Sequence, residues 1–356
     1  MAERYRPWLV AVVAALVVAA ASLALGGTRA PSTRIAVPVR RIAPIPSAAA
    51  AGEVTSATTQ LVFEPGAGAS PWLAAIAESH HELLVNEYLL TDTAFIDALG
   101  QAAHRGVRVE VLVDTKPYDG ASAAIAAMHA LSRQGVMVKA APGRFEGSYS
   151  FDHAKYLVVD PGYADEEAIL GSANATWSAL EGSNAEDEVL TTDPRIVTAL
   201  AGVFAADWSR HPAGSAPRRE LVLAPGAGGS IVSLLDTTGP VAVTAEELGD
   251  DPSLLAAMAH KGSGMRLLIP RDASSSTLRR ARRLSAAGVE VRMLAVPYLH
   301  AKLIVTSRAV FVGSENLSYV SLAHNREVGI ELEGAALRRE ALAWFDRLFR
   351  QAVPLT

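Results

Sequence analysis

Apolar and polar residues along the chain form a pattern that occurs twice. Leu61-Val62-Phe63-Glu64-Pro65-Gly66-Ala67-Gly68 returns as Leu221-Val222-Leu223-Ala224-Pro225-Gly226-Ala227-Gly228, each time a short apolar strand running into a turn. Both copies then read in the same order. Helices are predicted at Pro71–Ser79 and Ser230–Asp236, then strands at Leu83–Tyr88 and Val241–Ala245. Helices at Thr93–His104 and Pro252–His260 precede strands at Arg108–Val113 and Met265–Ile269. Helices at Ala121–Arg133 and Ser275–Ala286 lead to strands at Val136–Lys139 and Val289–Leu294. Strands alternating with helices predict an α/β fold with largely parallel sheets covered on both faces. A period of roughly 150 residues is too long for a solenoid. The pattern therefore predicts a duplicated domain, with an N-terminal lobe over 59–214 and a C-terminal lobe over 215–356, packed about a pseudo-twofold axis. Leu342, Phe345, Leu348 and Phe349 make one stripe of a C-terminal amphipathic helix over Arg338–Arg350.

The residues ahead of the first copy are of another kind. Arg4 and Arg6 precede an uncharged run from Pro7 to Thr28 that is rich in Val, Ala and Leu. That is the layout of a signal peptide, with Ser22-Leu23-Ala24 as small residues for cleavage, and the run also has the length of a bilayer span. Residues 1–28 are thus a cleaved signal or a retained anchor. Short basic N-tails stay on the cytoplasmic side, so the expected location of the domains is extracytoplasmic, secreted or membrane-anchored. Residues 29–58, rich in Pro and Ala, read as a linker.

Composition narrows the chemistry. The chain has 356 residues and no cysteine, which excludes disulfides, thiolate metal sites and cysteine nucleophiles. A formal net charge of −5 provides no field to gather polyanions, which disfavours a nucleic-acid partner. Only five lysines occur, against 27 arginines, and two of the five are Lys155 and Lys302.

Those two lysines belong to a constellation that each copy delivers. The first is Phe151-Asp152-His153-Ala154-Lys155-Tyr156-Leu157-Val158-Val159-Asp160, then Gly171-Ser172-Ala173-Asn174, with Asn184 and Glu186 downstream. The second is Tyr298-Leu299-His300-Ala301-Lys302-Leu303-Ile304-Val305-Thr306-Ser307, then Gly313-Ser314-Glu315-Asn316, with Asn325 and Glu327 downstream. Placed at the start of a strand, His and Lys two residues apart share a face. Gly-Ser-x-Asn ends the following strand and brings an amide beside them. Two Lys and two Asn neutralise and orient the non-bridging oxygens of a phosphodiester without a metal. One His attacks phosphorus while the other protonates the departing alkoxide, and water then releases the phosphoryl group. A carboxylate is expected to fix each imidazole in one tautomer, and Glu186 and Glu327 are the candidates.

The duplicated His-x-Lys and Gly-Ser-x-Asn motifs resemble the phospholipase D superfamily over about Thr59 to Gln351. The resemblance implies an α-β-α sandwich with both motifs meeting between the lobes, a phosphohistidine intermediate, and no metal or cofactor. It assigns His153, Lys155 and Asn174 to one half-site and His300, Lys302 and Asn316 to the other, with Ser172 and Ser314 as the motif serines. The family's motif Asp is present as Asp160 but is replaced by Ser307 in the second copy, where weakened support of the fold is expected. The stretch from Asp160 to Gly171 is longer than the family's spacing and is expected to lengthen a hairpin turn. Both half-sites lie in one chain, so the expected state is a monomer. The expected activity is hydrolysis or headgroup transfer on phospholipids. A nuclease of the same superfamily and a catalytically weakened lipid- or anion-binding module are the alternatives.

Other features weigh less. His80-His81-Glu82 looks like a metal cluster, but its neighbours face opposite sides of a strand entry. Arg279, Arg280, Arg282 and Arg283 read as a solvated helix face. Tyr149, Phe151, Tyr298, Leu299 and Trp177 divide between pocket lining and packing. Asp114 and Asp272 end matching strands as candidate caps.

Overall fold

The computed structural model describes residues 57–118, 120–147, 149–182 and 184–356. The expected signal or anchor and nearly all of the linker lie outside them. No helix among the described residues is long and apolar enough to cross a membrane.

The first half runs β1 (Thr59–Glu64), α1 (Ser70–Glu78), β2 (Glu82–Glu87), α2 (Thr93–His104), β3 (Arg108–Val113), α3 (Ala121–Arg133), β4 (Met137–Ala140), β5 (Tyr156–Val159), β6 (Glu167–Gly171), α4 (Trp177–Leu180), β7 (Asn184–Thr191) and α5 (Pro194–Trp208). The second runs β8 (Val222–Ala224), α6 (Gly228–Leu235), β9 (Val241–Thr244), α7 (Pro252–Lys261), β10 (Met265–Pro270), α8 (Ser275–Ala286), β11 (Glu290–Leu294), β12 (Tyr298–Leu299), β13 (Ile304–Val305), β14 (Ala309–Gly313), α9 (Tyr319–Ala323), β15 (Glu327–Glu333), α10 (Ala335–Gln351) and β16 (Val353–Pro354). Helix starts follow capping chemistry: Asp92 accepts from the Phe95 amide, Asp251 from those of Ser253 and Leu254, and Ser274 from that of Thr277.

Each half contributes the main path of one eight-stranded sheet. The orders are β1-β7-β6-β5-β2-β3-β4, with β12 added on β7, and β8-β15-β14-β13-β9-β10-β11-β16. The seven strands of the first path match the first seven of the second, which is the expected duplication; β16 is extra. The sheets are mixed rather than largely parallel. β2, β3 and β4 are parallel to one another, as are β9, β10 and β11, because helices connect them. The other pairings within each half are antiparallel. The segment from Asp160 to Glu166 is the turn of the β5–β6 hairpin, as its length suggested.

Three apolar clusters hold this arrangement. α1, α2 and α3 cover one face of the first sheet through Trp72, Ile76, Phe95, Leu99 and Leu131. α6, α7 and α8 cover the second through Ile231, Leu234, Leu254, Met258 and Leu284. The largest cluster joins both sheets with α5 and α10, through Tyr156, Leu170, Val189, Phe204, Val310, Val328, Trp344 and Phe345. Burial of these side chains, at about 25 cal/mol per Å² of apolar surface, fixes the two sheets to one another.

The motif Asp serves this framework. Buried Asp160 accepts the backbone N–H groups of His80, His81 and Glu82 at 2.7, 2.7 and 2.6 Å, tying the hairpin turn to the entry of β2. His80 and His81 are therefore turn residues; His81 stacks on Tyr163 with centroids 3.7 Å apart. In the second half Ser307 donates to one exposed carbonyl, Thr238 O, at 2.6 Å. Asp160→Ala is expected to cost roughly 3 kcal/mol, since charged hydrogen bonds are the stronger class and buried donors are left unpaired. Ser307→Ala is expected to cost under about 1 kcal/mol. Urea unfolding of the two variants measures the difference, and equal losses would show that Asp160 has no special structural role.

Candidate active site

The two half-sites meet because each histidine segment is hydrogen-bonded to the other half. Tyr298 and Leu299 pair in parallel with Asn184 and Ala185, and the His300 and Ala301 amides donate to Ala185 O at 3.0 and 2.8 Å. Reciprocally, Asp152 bridges Arg326, the His153 amide donates to Arg326 O, and the Arg326 amide donates to Phe151 O, both at 2.9 Å. The next residue after Ala185 is Glu186, and the next after Arg326 is Glu327. The zippering thus places each glutamate beside the histidine of the opposite half.

The carboxylates accordingly pair crosswise. His153 Nδ1 lies 2.9 Å from Glu327 Oε2 and 3.2 Å from Ser314 O. His300 Nδ1 lies 2.6 Å from Glu186 Oε2. Each glutamate is fully buried and held by its own half: Glu186 accepts from Ser172 Oγ at 2.7 Å and Asn184 Nδ2 at 2.9 Å. Glu327 accepts from Ser314 Oγ and Ser321 Oγ at 2.7 Å and from Asn325 Nδ2 at 2.9 Å. The motif serines therefore orient carboxylates. A carboxylate on Nδ1 fixes the tautomer and leaves Nε2 for chemistry.

The lysines are buried beside the rings. Lys155 and Lys302 each turn Nζ back onto the carbonyl of the histidine two residues earlier. The ordered strands begin only after these residues, at Tyr156 and Ile304. The shared-face argument for His and Lys is thus corrected: an irregular, extended segment carries them, and this backbone contact keeps them together. Lys155 also sits over the Tyr88 ring, 5.0 Å from its centroid, and Lys302 donates to Glu246 at 2.7 Å. The side chains of Asn174 and Asn316 make no hydrogen bond among the described residues, so both amides are unengaged.

His153, His300 and Asn316 line one cleft of about 760 Å³ with Tyr88, Tyr118, Tyr149, Phe151, Tyr298, Glu246, Glu247 and Asp272. Of the residues flanking the motifs, Tyr149, Phe151 and Tyr298 are pocket residues, Leu299 is core, and Trp177 is exposed. Asp114 is structural, accepting the amides of Lys116 and Asp152, whereas Asp272 belongs to the cleft wall. Arg279, Arg282 and Arg283 lie on the exposed face of α8. No group of residues suited to a metal ion occurs among the described residues.

Glu246 escaped the sequence reading, as did Asp187, whose carboxylate accepts the Lys302 amide at 2.9 Å. Aligning the two copies strand by strand signals Glu246, since it stands where the first copy has Tyr88.

Burial sets the protonation of these groups. It pushes the His153 imidazole down to about 4, assisted by the Lys155 charge and opposed by Glu327. It pushes Lys155 down to about 8. Burial opposes ionisation of Glu327, yet His153, Lys155 and Asn325 hold its carboxyl below the usual range. Glu186 behaves alike, with His300 and Lys302 overcoming its burial. At neutral pH the His153 Nε2 lone pair is therefore free and Lys155 is charged. Falling pH removes the first near 4, and rising pH removes the second near 8. A kcat/KM profile flat between these limits is expected; an acid limb near 6.5, the ordinary imidazole value, would contradict it.

The profile of the family described as "Cardiolipin synthase, PLD-like domain" matches the chain twice, over residues 72–208 and 248–349. No curated protein sequence matches the chain significantly. Phosphatidylserine synthase from Haemophilus influenzae superposes with a TM-score of 0.64 at 13% identity, over 83% of this chain and 87% of that one. Polyphosphate kinase from Porphyromonas gingivalis superposes with a TM-score of 0.60 at 16% identity, over 81% of this chain. The match spans 50% of the kinase's own length. Nuc from Salmonella typhimurium, a phospholipase D family member, is 24% identical over 44% of this chain and 97% of its own, with a TM-score of 0.38.

Proposed function

We propose that this chain, which belongs to the family of PLD-like domains of the cardiolipin synthase type, is a metal-independent phosphodiesterase that works through a phosphohistidine and acts on phospholipids by hydrolysis or headgroup transfer. The observation that carries this reading is the pair of imidazoles, each fixed at Nδ1 by a buried carboxylate of the opposite half and both lining one cleft.

A phosphodiester seated there meets Lys155, Lys302, Asn174 and Asn316 as donors to its non-bridging oxygens. One Nε2 forms a bond to phosphorus while the bond to the leaving oxygen breaks. The other Nε2 gives that oxygen its proton, then takes one from the water or acceptor alcohol that releases the phosphoryl group. Ser172, Ser314, Glu186 and Glu327 orient the rings, and Asp160 supports the fold around them.

The cleft wall supports a lipid over a nucleic acid. Its charged residues besides the two histidines are Glu246, Glu247 and Asp272, which repel a polyanion, while Tyr118, Tyr149 and Phe151 offer apolar surface. The apolar run at residues 7–28 supports a place beside a membrane on its extracytoplasmic side. Both half-sites in one chain support a monomer.

The chain from about residue 52 onward is expected to release headgroup from phospholipid vesicles in the presence of EDTA. His153→Ala and His300→Ala are each expected to lower turnover at least ~10³-fold, because the two rings act as a unit. Cleavage of single-stranded DNA without headgroup release would favour the nuclease. Tight vesicle binding without turnover of any diester would favour the binding module.

A further inference from the structure

The duplication that matches the two half-sites also matches residues that the chemistry does not use. Tyr149 stands four residues before His153, and Val296 four before His300. Trp177 follows Asn174 by three residues and Tyr319 follows Asn316 by three, each opening a short helix behind its cap, Thr176 or Ser318. All four side chains are exposed. Tyr149, Tyr118, Val296 and Trp177, at 80, 79, 78 and 64% exposure, are the four most exposed large hydrophobic residues among those described. Exposed apolar side chains scattered singly need no explanation. These recur at matched places beside the catalytic residues, and that needs one.

The crossing of the halves gathers them at two places. On one side, Ser150, next to Tyr149, donates its hydroxyl to His324 O at 3.4 Å, and the Tyr319 ring packs edge-on against His324 with centroids 5.3 Å apart. Tyr149 and the two neighbours of Tyr319, Ser318 and Val320, line the catalytic cleft. On the other side, Tyr298, two residues after Val296, pairs with Asn184 of β7, and α4, which Trp177 opens, packs against that strand. Each flank of the two histidines thus carries one exposed apolar residue from each half: Tyr149 with Tyr319, and Val296 with Trp177. Tyr118 adds a further exposed ring to the cleft wall.

We infer that this rim is the surface by which the domain docks on a phospholipid bilayer of low net charge, with the catalytic cleft facing the leaflet. The inference rests on the phospholipid reading above. Tyr and Trp carry an apolar body and a polar tip and favour the depth of the headgroups, which is where a phospholipid holds its diester. When rim and leaflet meet, a lipid entering the cleft keeps its acyl chains in the leaflet, so no chain crosses water. The charge of the cleft selects the kind of leaflet. Exposed Glu247 and Asp272 line its wall, which repels an anionic surface and attracts the ammonium groups of a zwitterionic one. Tyrosine rings beside such ammonium groups add a cation–π attraction.

Trp177 makes the docking visible, because it is the one exposed tryptophan among the described residues. Binding is measured on the chain from about residue 52 onward, which contains all three apolar clusters, in a His153→Ala background that leaves the lipid intact. Vesicles of brominated phosphatidylcholine are expected to quench the tryptophan emission, and Trp177→Phe to abolish the quenching while co-sedimentation with vesicles persists. Val296→Ser combined with Tyr319→Ser is expected to weaken co-sedimentation at least about 10-fold and, with His153 restored, to lower headgroup release from vesicles by a similar factor. Cleavage of bis-p-nitrophenyl phosphate, a soluble diester, is expected to stay within about threefold. Replacing a third of the phosphatidylcholine by phosphatidylglycerol is expected to weaken binding. Absence of quenching, or binding that the double substitution leaves intact, would overturn the docking surface. Stronger binding to the phosphatidylglycerol vesicles would overturn its preference for a leaflet of low charge. Self-association removed by the same substitutions, without quenching, would give the face to a second copy instead. Quenching of a protein that, with His153 restored, cleaves neither diester would leave the docking in place and remove the phosphodiesterase reading.

Discussion

The buried carboxylate on the far side of each imidazole is the contact on which the site depends. Glu327 and Glu186 each reach a ring carried by the opposite half. Neither carboxylate is in water, so each requires its own donors, and the motif serines and downstream asparagines supply them. A buried charge left without partners costs several kcal/mol, a cost these donors of the same half offset. The backbone pairing of Tyr298-Leu299 with Asn184-Ala185, and of Asp152 with Arg326, achieves the crossing without any long connection.

Within that symmetric frame, single substitutions give each half a separate task. Asp160 ties three amides at the entry to β2, while Ser307 reaches one exposed carbonyl, so the first half anchors its hairpin turn by more hydrogen bonds. Tyr88 covers His153 with a ring, while Glu246 faces His300 with a charge. Pseudo-symmetry supplies two equivalent rings, and these departures from it give the rings different surroundings.

Much of this was legible in the sequence, for identifiable reasons. α2, α3 and α8 appear at their expected bounds because amphipathic periodicity and capping residues mark their ends. The half-sites were legible because their residues recur at fixed spacing. Strand direction was not: alternation of strands and helices speaks only for β2 to β4 and β9 to β11, and the antiparallel strands are equally apolar. The start of the strand after His-x-Lys was misplaced because a lysine bonding to a backbone carbonyl leaves no trace in hydropathy. Glu186 and Glu327 were visible as carboxylates, but their crossing is a property of the interface between the halves. Glu246 lies in a stretch with Glu247, Asp250 and Asp251, where one half-buried, paired acid is indistinguishable from solvated ones.

The central claim is that each histidine is held by the other half. The Nδ1 proton resonances of ¹⁵N-labelled histidine report it directly, because a proton shared with a carboxylate at 2.6–2.9 Å lies far downfield. Glu327→Gln is expected to move the His153 resonance and leave that of His300 in place, and Glu186→Gln to do the reverse. A Glu327→Gln spectrum in which His300 moves and His153 does not would contradict the crossed arrangement.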